Sequence, residues 1–120
     1  MDINIDFFNK LRYYAFKVIF KKKGKNMTQH EKDLEAVKQN GWALQCVKKQ
    51  TNEICIEAVR QDGYALEYVE KQTNEICIEA VRQSGYALQY VKKQTNEICI
   101  EAVKRHGHAL RFVRVEELAS

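Results

Sequence analysis

Apolar and polar positions repeat every 22 residues along most of the chain. The string Thr-Asn-Glu-Ile-Cys-Ile-Glu-Ala-Val occurs three times, beginning at Thr51, Thr73 and Thr95. A Gly-x-Ala-Leu motif follows each copy, and a more divergent copy of the whole pattern precedes them. Three nine-residue identities at a fixed spacing cannot arise by chance, so the chain is predicted to be a repeat protein. Its units are 29–50, 51–72, 73–94 and 95–116, called units 1 to 4 below.

Each unit has the pattern of two short helices. In unit 2 one helical face is apolar, formed by Ile54, Cys55, Ala58 and Val59. Thr51 is the predicted N-cap, and Gly63 is expected to end the helix in a left-handed conformation. A second α-helix is expected from about Tyr64 to Lys71. A strand is excluded because the apolar residues do not alternate.

These helices are too short to be stable alone, so the units must bury their apolar faces by stacking. The predicted fold is all-α: an α-solenoid of four 22-residue helix-turn-helix repeats, preceded by an N-terminal amphipathic helix. Polar residues at both ends are typical of terminal capping repeats, so we expect the array to be complete. They include Lys32 and Asp33 in unit 1, and His108 and Arg111 in unit 4. Thr28 and Glu31 are predicted to form a capping box.

The core of each unit, Ala-Val-[Lys/Arg]-x-x-Gly-x-Ala-Leu-x-[Tyr/Phe/Cys]-Val, resembles a repeat family of unknown function that is abundant in giant viruses of amoebae. The resemblance covers residues 29–116. It implies tandem short helices and a virus-encoded protein that acts inside a host cell, in its cytoplasm, and is not secreted. It implies no catalytic residues.

The N-terminal segment, residues 1–28, differs from the repeat body, residues 29–120. It holds seven basic and two acidic residues, a net charge of +5, whereas the remaining residues carry −1. Its apolar residues lie on one stripe of a helical wheel, and a lysine cluster follows them. The candidate partner-binding residues of this arm are Phe7, Phe8, Leu11, Tyr14, Val18, Lys21, Lys22 and Lys23.

Three interpretations of the arm remain open. The favoured one is that it docks on the solenoid or on a second copy of the chain. Polar Lys32 and Asp33 argue against docking on unit 1, which makes a homo-oligomer formed through residues 1–28 a serious alternative. Attachment to a membrane surface is the second choice, and nucleic-acid binding is the least favoured. Met27 could be an internal start that omits the arm.

The side chains that could carry chemistry predict no enzyme, no cofactor and no metal site. Cys55, Cys77 and Cys99 recur at a spacing that matches no zinc motif, so they are expected to be buried thiols in the core. His30, His106 and His108 are interpreted as capping residues rather than metal ligands. No phosphate loop and no nucleophile–base arrangement is present.

The second helices differ from unit to unit, whereas the first helices of units 2 to 4 are nearly identical. The varying positions of the second helices are candidate partner-binding positions: Gln45, Glu67, Gln89 and Arg111 at one site in each unit, and Lys48, Glu70, Lys92 and Arg114 at another. An aromatic ladder on the same helices is expected to pack in the core, and the alternative is that the polar edges of its rings line a groove for a partner. Glutamates of the first helix are expected to pair with basic residues three positions on, as Glu57 does with Arg60.

These observations predict a non-enzymatic helical-repeat module that binds another protein, with self-association through the arm as one possibility. A peripheral membrane module, or a minor virion component, is the alternative function.

The division of charge predicts where an anionic partner would bind. A truncation that begins at Met27 should lose nearly all affinity for anionic vesicles, because the excess positive charge lies at residues 10–25. Sedimentation with anionic liposomes at low salt measures this, with the full chain as the control. If the truncated and the full chain bound anionic liposomes equally well, the positive charge of the arm would not be what determines this binding.

Overall fold

The computed structural model describes Lys10, residues 12–14 and residues 26–118, and the described part of the chain is helical with no strand. Four α-helices alternate with four 3₁₀ helices. The α-helices are Gln29–Gln39, Asn52–Gln61, Asn74–Gln83 and Asn96–Arg105. The 3₁₀ helices are Gly41–Cys46, Gly63–Tyr68, Gly85–Tyr90 and Gly107–Phe112, and a short α-helix, Val115–Leu118, follows them. Each unit packs on its neighbours, which confirms the predicted solenoid of four repeats.

The α-helices begin where the threonines predict. Thr51, Thr73 and Thr95 each accept a hydrogen bond from the backbone N–H three residues on, at 3.2 Å. In unit 1, Thr28 accepts from the Glu31 N–H while the Glu31 carboxylate accepts from the Thr28 N–H, both at 3.2 Å. The predicted capping box is therefore confirmed, and it starts this helix one position earlier in the repeat.

The prediction of a second α-helix in each unit is wrong, because these helices are 3₁₀ and end earlier. After the unit-2 α-helix the chain turns at Asp62, which is extended, with φ −151°. The Asp62 carboxylate accepts from the Tyr64 N–H at 3.0 Å and starts the 3₁₀ helix. The Val69 N–H ends it by donating to the Leu66 carbonyl at 3.1 Å. The apolar pattern of six residues fits both helix types, so periodicity could not separate them.

The role predicted for Gly63, a left-handed end to the α-helix, is also wrong. Gly63 is the first residue of the 3₁₀ helix and lies against the α-helix of unit 3. A Cβ at this position would lie 2.6 Å from the Ala80 carbonyl oxygen, and one at Gly41 would lie 2.5 Å from that of Ala58. A Cβ at Gly85 would likewise overlap the Ala102 carbonyl oxygen. Glycine is required here because the backbone of one unit touches the next.

The core runs continuously through the units. In unit 2 the predicted apolar face is fully buried, and the 3₁₀ helix adds Ala65 and Leu66, followed by Val69. The equivalent residues of unit 3 are buried as well. Because units 2 and 3 bury equivalent residues, the same pattern of contacts repeats in the middle of the solenoid.

Ion pairs connect successive α-helices on the solvent side. The predicted pair between Glu57 and Arg60 is present at 3.5 Å, and the equivalent pairs of units 3 and 4 lie at 4.0 and 3.8 Å. Arg60 also reaches forward to Glu79 at 3.0 Å, and Arg82 to Glu101 at 3.1 Å. These pairs between units were not predicted. They are exposed, so each contributes less than about 1 kcal/mol.

Arg114 is part of the scaffold rather than a free recognition residue, contrary to the sequence-based prediction. Its guanidinium donates to the Val91 carbonyl at 2.6 Å and to Glu117 at 2.9 Å. Glu117 in turn accepts from the Gln94 N–H at 3.0 Å. These bonds lower the pKa of the Glu117 carboxyl. They connect the short C-terminal helix and Arg114 of unit 4 to the end of unit 3.

Among the residues described, no helix combines the length and the apolar character that crossing a bilayer requires.

The glycine contacts generate a paired stability prediction. Gly63→Ala should lower the free energy of unfolding by about 1–3 kcal/mol, because its Cβ would overlap a backbone carbonyl that cannot easily move. Gly107→Ala should change it by no more than about 1 kcal/mol, since a Cβ there meets nothing within 4 Å. Urea unfolding followed by circular dichroism measures both variants. Equal losses would show that unit contact does not require the glycine.

Candidate functional site

A glutamine that is partly buried in two cases and buried in the third closes each of units 2 to 4. Gln50 donates its side-chain amide to the Tyr68 carbonyl at 2.8 Å and accepts from the Glu70 N–H at 3.0 Å. It therefore binds the end of the 3₁₀ helix to the segment that precedes the α-helix. Gln72 and Gln94 make the same pair of bonds one and two units later. Sequence reasoning missed these residues, although a glutamine stands directly before each of the three repeated threonines.

The three repeated cysteines are buried free thiols, as predicted. Each donates to the oxygen of the closing glutamine, with Cys55 3.5 Å from Gln50 and Cys99 3.4 Å from Gln94. Burial raises the pKa of the Cys55 and Cys77 thiols to about 11, and it raises the pKa of Cys99 as well. These thiols therefore stay protonated near neutral pH and are poor nucleophiles.

Cavities recur along the face where the units join. One of about 450 Å³ lies between units 2 and 3, and one of about 280 Å³ lies at the equivalent place in units 3 and 4. Equivalent residues line them: Gln50, Thr51, Asn52, Cys55, Lys71 and Ile76 in the first, and Gln72, Thr73, Asn74, Cys77, Lys93 and Ile98 in the second. Each lining includes one closing glutamine and two capping threonines, so the cavities follow from the way in which the units stack.

Two of the three histidines, His30 and His106, make structural contacts. His106 stacks on Tyr86, with ring centroids 4.7 Å apart, and its Nδ1 accepts from the Gly85 N–H at 3.0 Å. His30 lies 3.2 Å from Glu53. Within the described ranges, no three His, Cys, Asp or Glu side chains come together in a way that could hold a metal ion.

The aromatic ladder is half-buried rather than enclosed in the core. It consists of Trp42, Tyr64, Tyr68, Tyr86, Tyr90 and Phe112, and we call these residues the aromatic column. Rings pair edge to face between successive units, for example Tyr64 with Tyr90 at 6.0 Å between centroids. The Trp42 indole also donates to the Asp62 carboxylate at 2.5 Å. Packing fixes the rings of the column while part of each stays in contact with solvent.

The candidate residues Gln45, Glu67, Gln89 and Arg111 stand beside this column, and we call them the variable column. Residues three apart eclipse one another in a 3₁₀ helix, so Gln89 lies on the same side as Tyr86. Its side chain confirms this by donating to the Tyr86 carbonyl at 3.0 Å, as Gln45 does to Trp42 at 3.2 Å. We call the two columns together the recognition face, after the role that is proposed for them below.

One residue of the arm, Tyr13, is bound to unit 1. Tyr13 is 5% exposed and donates to Asp33, which is 4% exposed, at 2.5 Å. Gln29 donates to both residues. The expectation that the polar Asp33 disfavours docking here is wrong, because a tyrosine hydroxyl satisfies the carboxylate. Burial and Asp33 raise the pKa of Tyr13, because both oppose its ionisation.

Most candidate residues of the arm lie outside the described residues: Phe7, Phe8, Leu11, Val18, Lys21, Lys22 and Lys23. Tyr14 is described and is 59% exposed, with its ring against that of Tyr13.

A comparison with protein families places this chain beside one family model, described as a domain of unknown function (DUF4116). The model matches three overlapping stretches, residues 34–73, 53–94 and 73–118. Each stretch covers about two units, which agrees with the repeat seen in the structure. No curated protein and no solved structure matches the chain.

The closing glutamines generate a stability prediction. Gln94→Leu should lower the free energy of unfolding by about 1–3 kcal/mol, because it leaves the Phe112 carbonyl and the Arg114 N–H without their partner. Gln89→Leu is the matched control, since Gln89 is exposed and should change stability by less than about 0.5 kcal/mol. Thermal unfolding compares the stabilities of the two variants with that of the unchanged chain. A Gln94→Leu protein as stable as the control would refute the role of this side chain.

Proposed function

We propose that this chain, which belongs to the DUF4116 family of domains of unknown function, is a non-enzymatic module that recognises another protein through its recognition face. The observation that carries the proposal is the half-buried aromatic column, continuous across the units and bordered by side chains that change between successive units. Rigid aromatic rings with accessible edges supply contact area at little entropic cost.

The two sides of the solenoid support this assignment by their contrast. On the α-helix side, charged groups are engaged by neighbouring units, as Arg60 is by Glu79. The sequence of that side hardly changes between units 2 and 4. The variable column reads neutral, acidic, neutral, basic from unit 1 to unit 4, on backbones that are nearly the same. A fixed scaffold with a changing exposed column suits the recognition of a polypeptide that runs along the solenoid.

The same reasoning supports a non-catalytic role. The buried thiols are protonated and bound to glutamines, and His106 is held in a ring stack. Burial opposes formation of the thiolate that nucleophilic attack by these cysteines would require.

The viral origin and the host-cytoplasmic location belong to this proposal as well. They rest on the resemblance of the repeat core to proteins of giant viruses, and the buried reduced thiols suit an intracellular compartment.

A displayed library of random peptides, selected on the immobilised full chain, tests the recognition face. Selected peptides should bind in solution, and Glu67→Arg should weaken at least one class of them tenfold or more, because it inverts a charge in the variable column. The matched control is Glu97→Arg, which makes the same change at an exposed position of the unit-4 α-helix.

Failure to enrich any peptide would argue against the proposed function. So would peptides whose affinity falls with Glu97→Arg but is unaffected by Glu67→Arg.

A further inference from the structure

Three pairs of rings join successive units along the aromatic column, and they differ in the groups that already contact them. At the junction of units 1 and 2, Trp42 meets Tyr68 with 5.4 Å between ring centroids. The Trp42 indole donates to the Asp62 carboxylate, which also accepts from the Tyr64 N–H. The acidic group at this junction therefore has two donors within the chain.

At the junction of units 3 and 4, the rings carry other groups of the chain itself. The His106 ring stacks on Tyr86, with 4.7 Å between centroids and 9° between the planes. The Arg111 guanidinium lies over the Phe112 ring, 5.4 Å from its centroid. This distance is typical of a cation–π interaction, so in unit 4 the column already holds a cation.

The junction of units 2 and 3 has neither a stacked third ring nor a cation on its pair of rings, as far as the described residues are concerned. Tyr64 and Tyr90 meet edge to face, with 6.0 Å between centroids and 88° between the planes. In this arrangement the ring that presents its edge keeps both of its faces uncovered by the other ring. Both residues are half-buried, so part of each ring contacts solvent.

A carboxylate stands beside this pair. Glu67 follows Tyr64 by three residues in the same 3₁₀ helix, where residues three apart eclipse one another. Burial raises the pKa of Tyr90, and the charge of Glu67 raises it further, so the carboxylate lies near this ring as well. Glu67 is exposed, and its carboxylate makes no ion pair or hydrogen bond with the described part of the chain.

The variable column explains why the Glu67 charge is available. Gln45 and Gln89, the equivalent residues of units 1 and 3, donate their side-chain amides to the carbonyl three residues earlier. An ionised carboxylate has no proton to donate, so Glu67 cannot make this bond. A negative charge and two aromatic rings therefore converge at this junction without a positive group of the described chain.

We propose that Tyr64, Glu67 and Tyr90 form a binding site for an arginine side chain of the partner polypeptide. This inference rests on the proposed function and names the chemistry of the partner. The guanidinium lies on a tyrosine ring and donates to the Glu67 carboxylate. Arginine suits both contacts better than lysine, because its planar group stacks on rings and offers parallel N–H donors to a carboxylate. Arg111 on Phe112 shows the ring contact within the same column.

The probe is the blocked peptide Gly-Gly-Arg-Gly-Gly, titrated into the isotope-labelled full chain and followed by NMR. Saturable shifts of the Tyr64 and Tyr90 ring resonances are expected, with a Kd in the millimolar range because one side chain supplies the contact. The peptide with citrulline, which keeps the shape of arginine without its charge, should bind at least fivefold more weakly. The lysine peptide should bind at least twofold more weakly.

Glu67→Gln tests the carboxylate and should raise the Kd of the arginine peptide at least fivefold. The variant should fold normally, because glutamine stands at the equivalent positions of units 1 and 3, and circular dichroism verifies this. The matched control is Glu97→Gln, which removes the same charge at an exposed position of the unit-4 α-helix and should leave the Kd unchanged.

A pair of variants tests the ring. Tyr90→Leu removes it and should raise the Kd at least threefold. Tyr90→Phe keeps the ring without the hydroxyl, as Phe112 does in unit 4, and should change the Kd less than twofold. Equal effects of the two variants would contradict a contact with the ring.

Three further results would overturn the inference: no shift of either tyrosine with tens of millimolar peptide, equal binding of the citrulline peptide, or an unchanged Kd for Glu67→Gln. They leave the proposed function standing, which fails instead if selection on the full chain enriches no peptide. Enriched peptides that bind the recognition face without an arginine would support the proposed function and overturn the arginine site.

Discussion

The structure depends on the contact between the glycine of one unit and an alanine carbonyl of the next. Because Gly63 has no side chain, the 3₁₀ helix of unit 2 can touch the backbone of the unit-3 α-helix. This approach fixes how closely the units stack. At that distance the forward ion pair from Arg60 to Glu79 and the edge-to-face pair of Tyr64 and Tyr90 can both form. A side chain at the glycine would weaken all of these contacts together.

The stacking divides the molecule into two sides with different properties. The α-helix side joins the units through nearly unchanging residues, and the 3₁₀ side carries the rings and the varying side chains that suit recognition. Stacking also leaves a surface without a partner wherever the described array stops. Tyr13 fills that role at unit 1 by binding Asp33, whereas Leu110 of unit 4 remains exposed.

Sequence alone predicted those features that follow from periodicity and local chemistry. The 22-residue units, the threonine caps and the buried face from Ile54 to Val59 were all recovered in this way. Features that depend on a neighbouring unit were not. A glycine at position 63 is compatible both with the end of a helix and with close contact to the helix of the next unit. The six residues that follow the turn are rich in apolar side chains and fit an α-helix or a 3₁₀ helix equally well. The contact between Tyr13 and Asp33 joins residues that are 20 positions apart in the sequence, so no local sequence pattern predicts it.

On the proposed account, the α-helix side joins the units and the 3₁₀ side binds the partner. Hydrogen–deuterium exchange on a complex of the full chain with a bound polypeptide tests this division most directly. Binding should slow amide exchange in the 3₁₀ helices Gly63–Tyr68 and Gly85–Tyr90, and it should leave the exchange rates of the α-helices unchanged. Protection confined to the α-helices Asn52–Gln61 and Asn74–Gln83 would contradict the account.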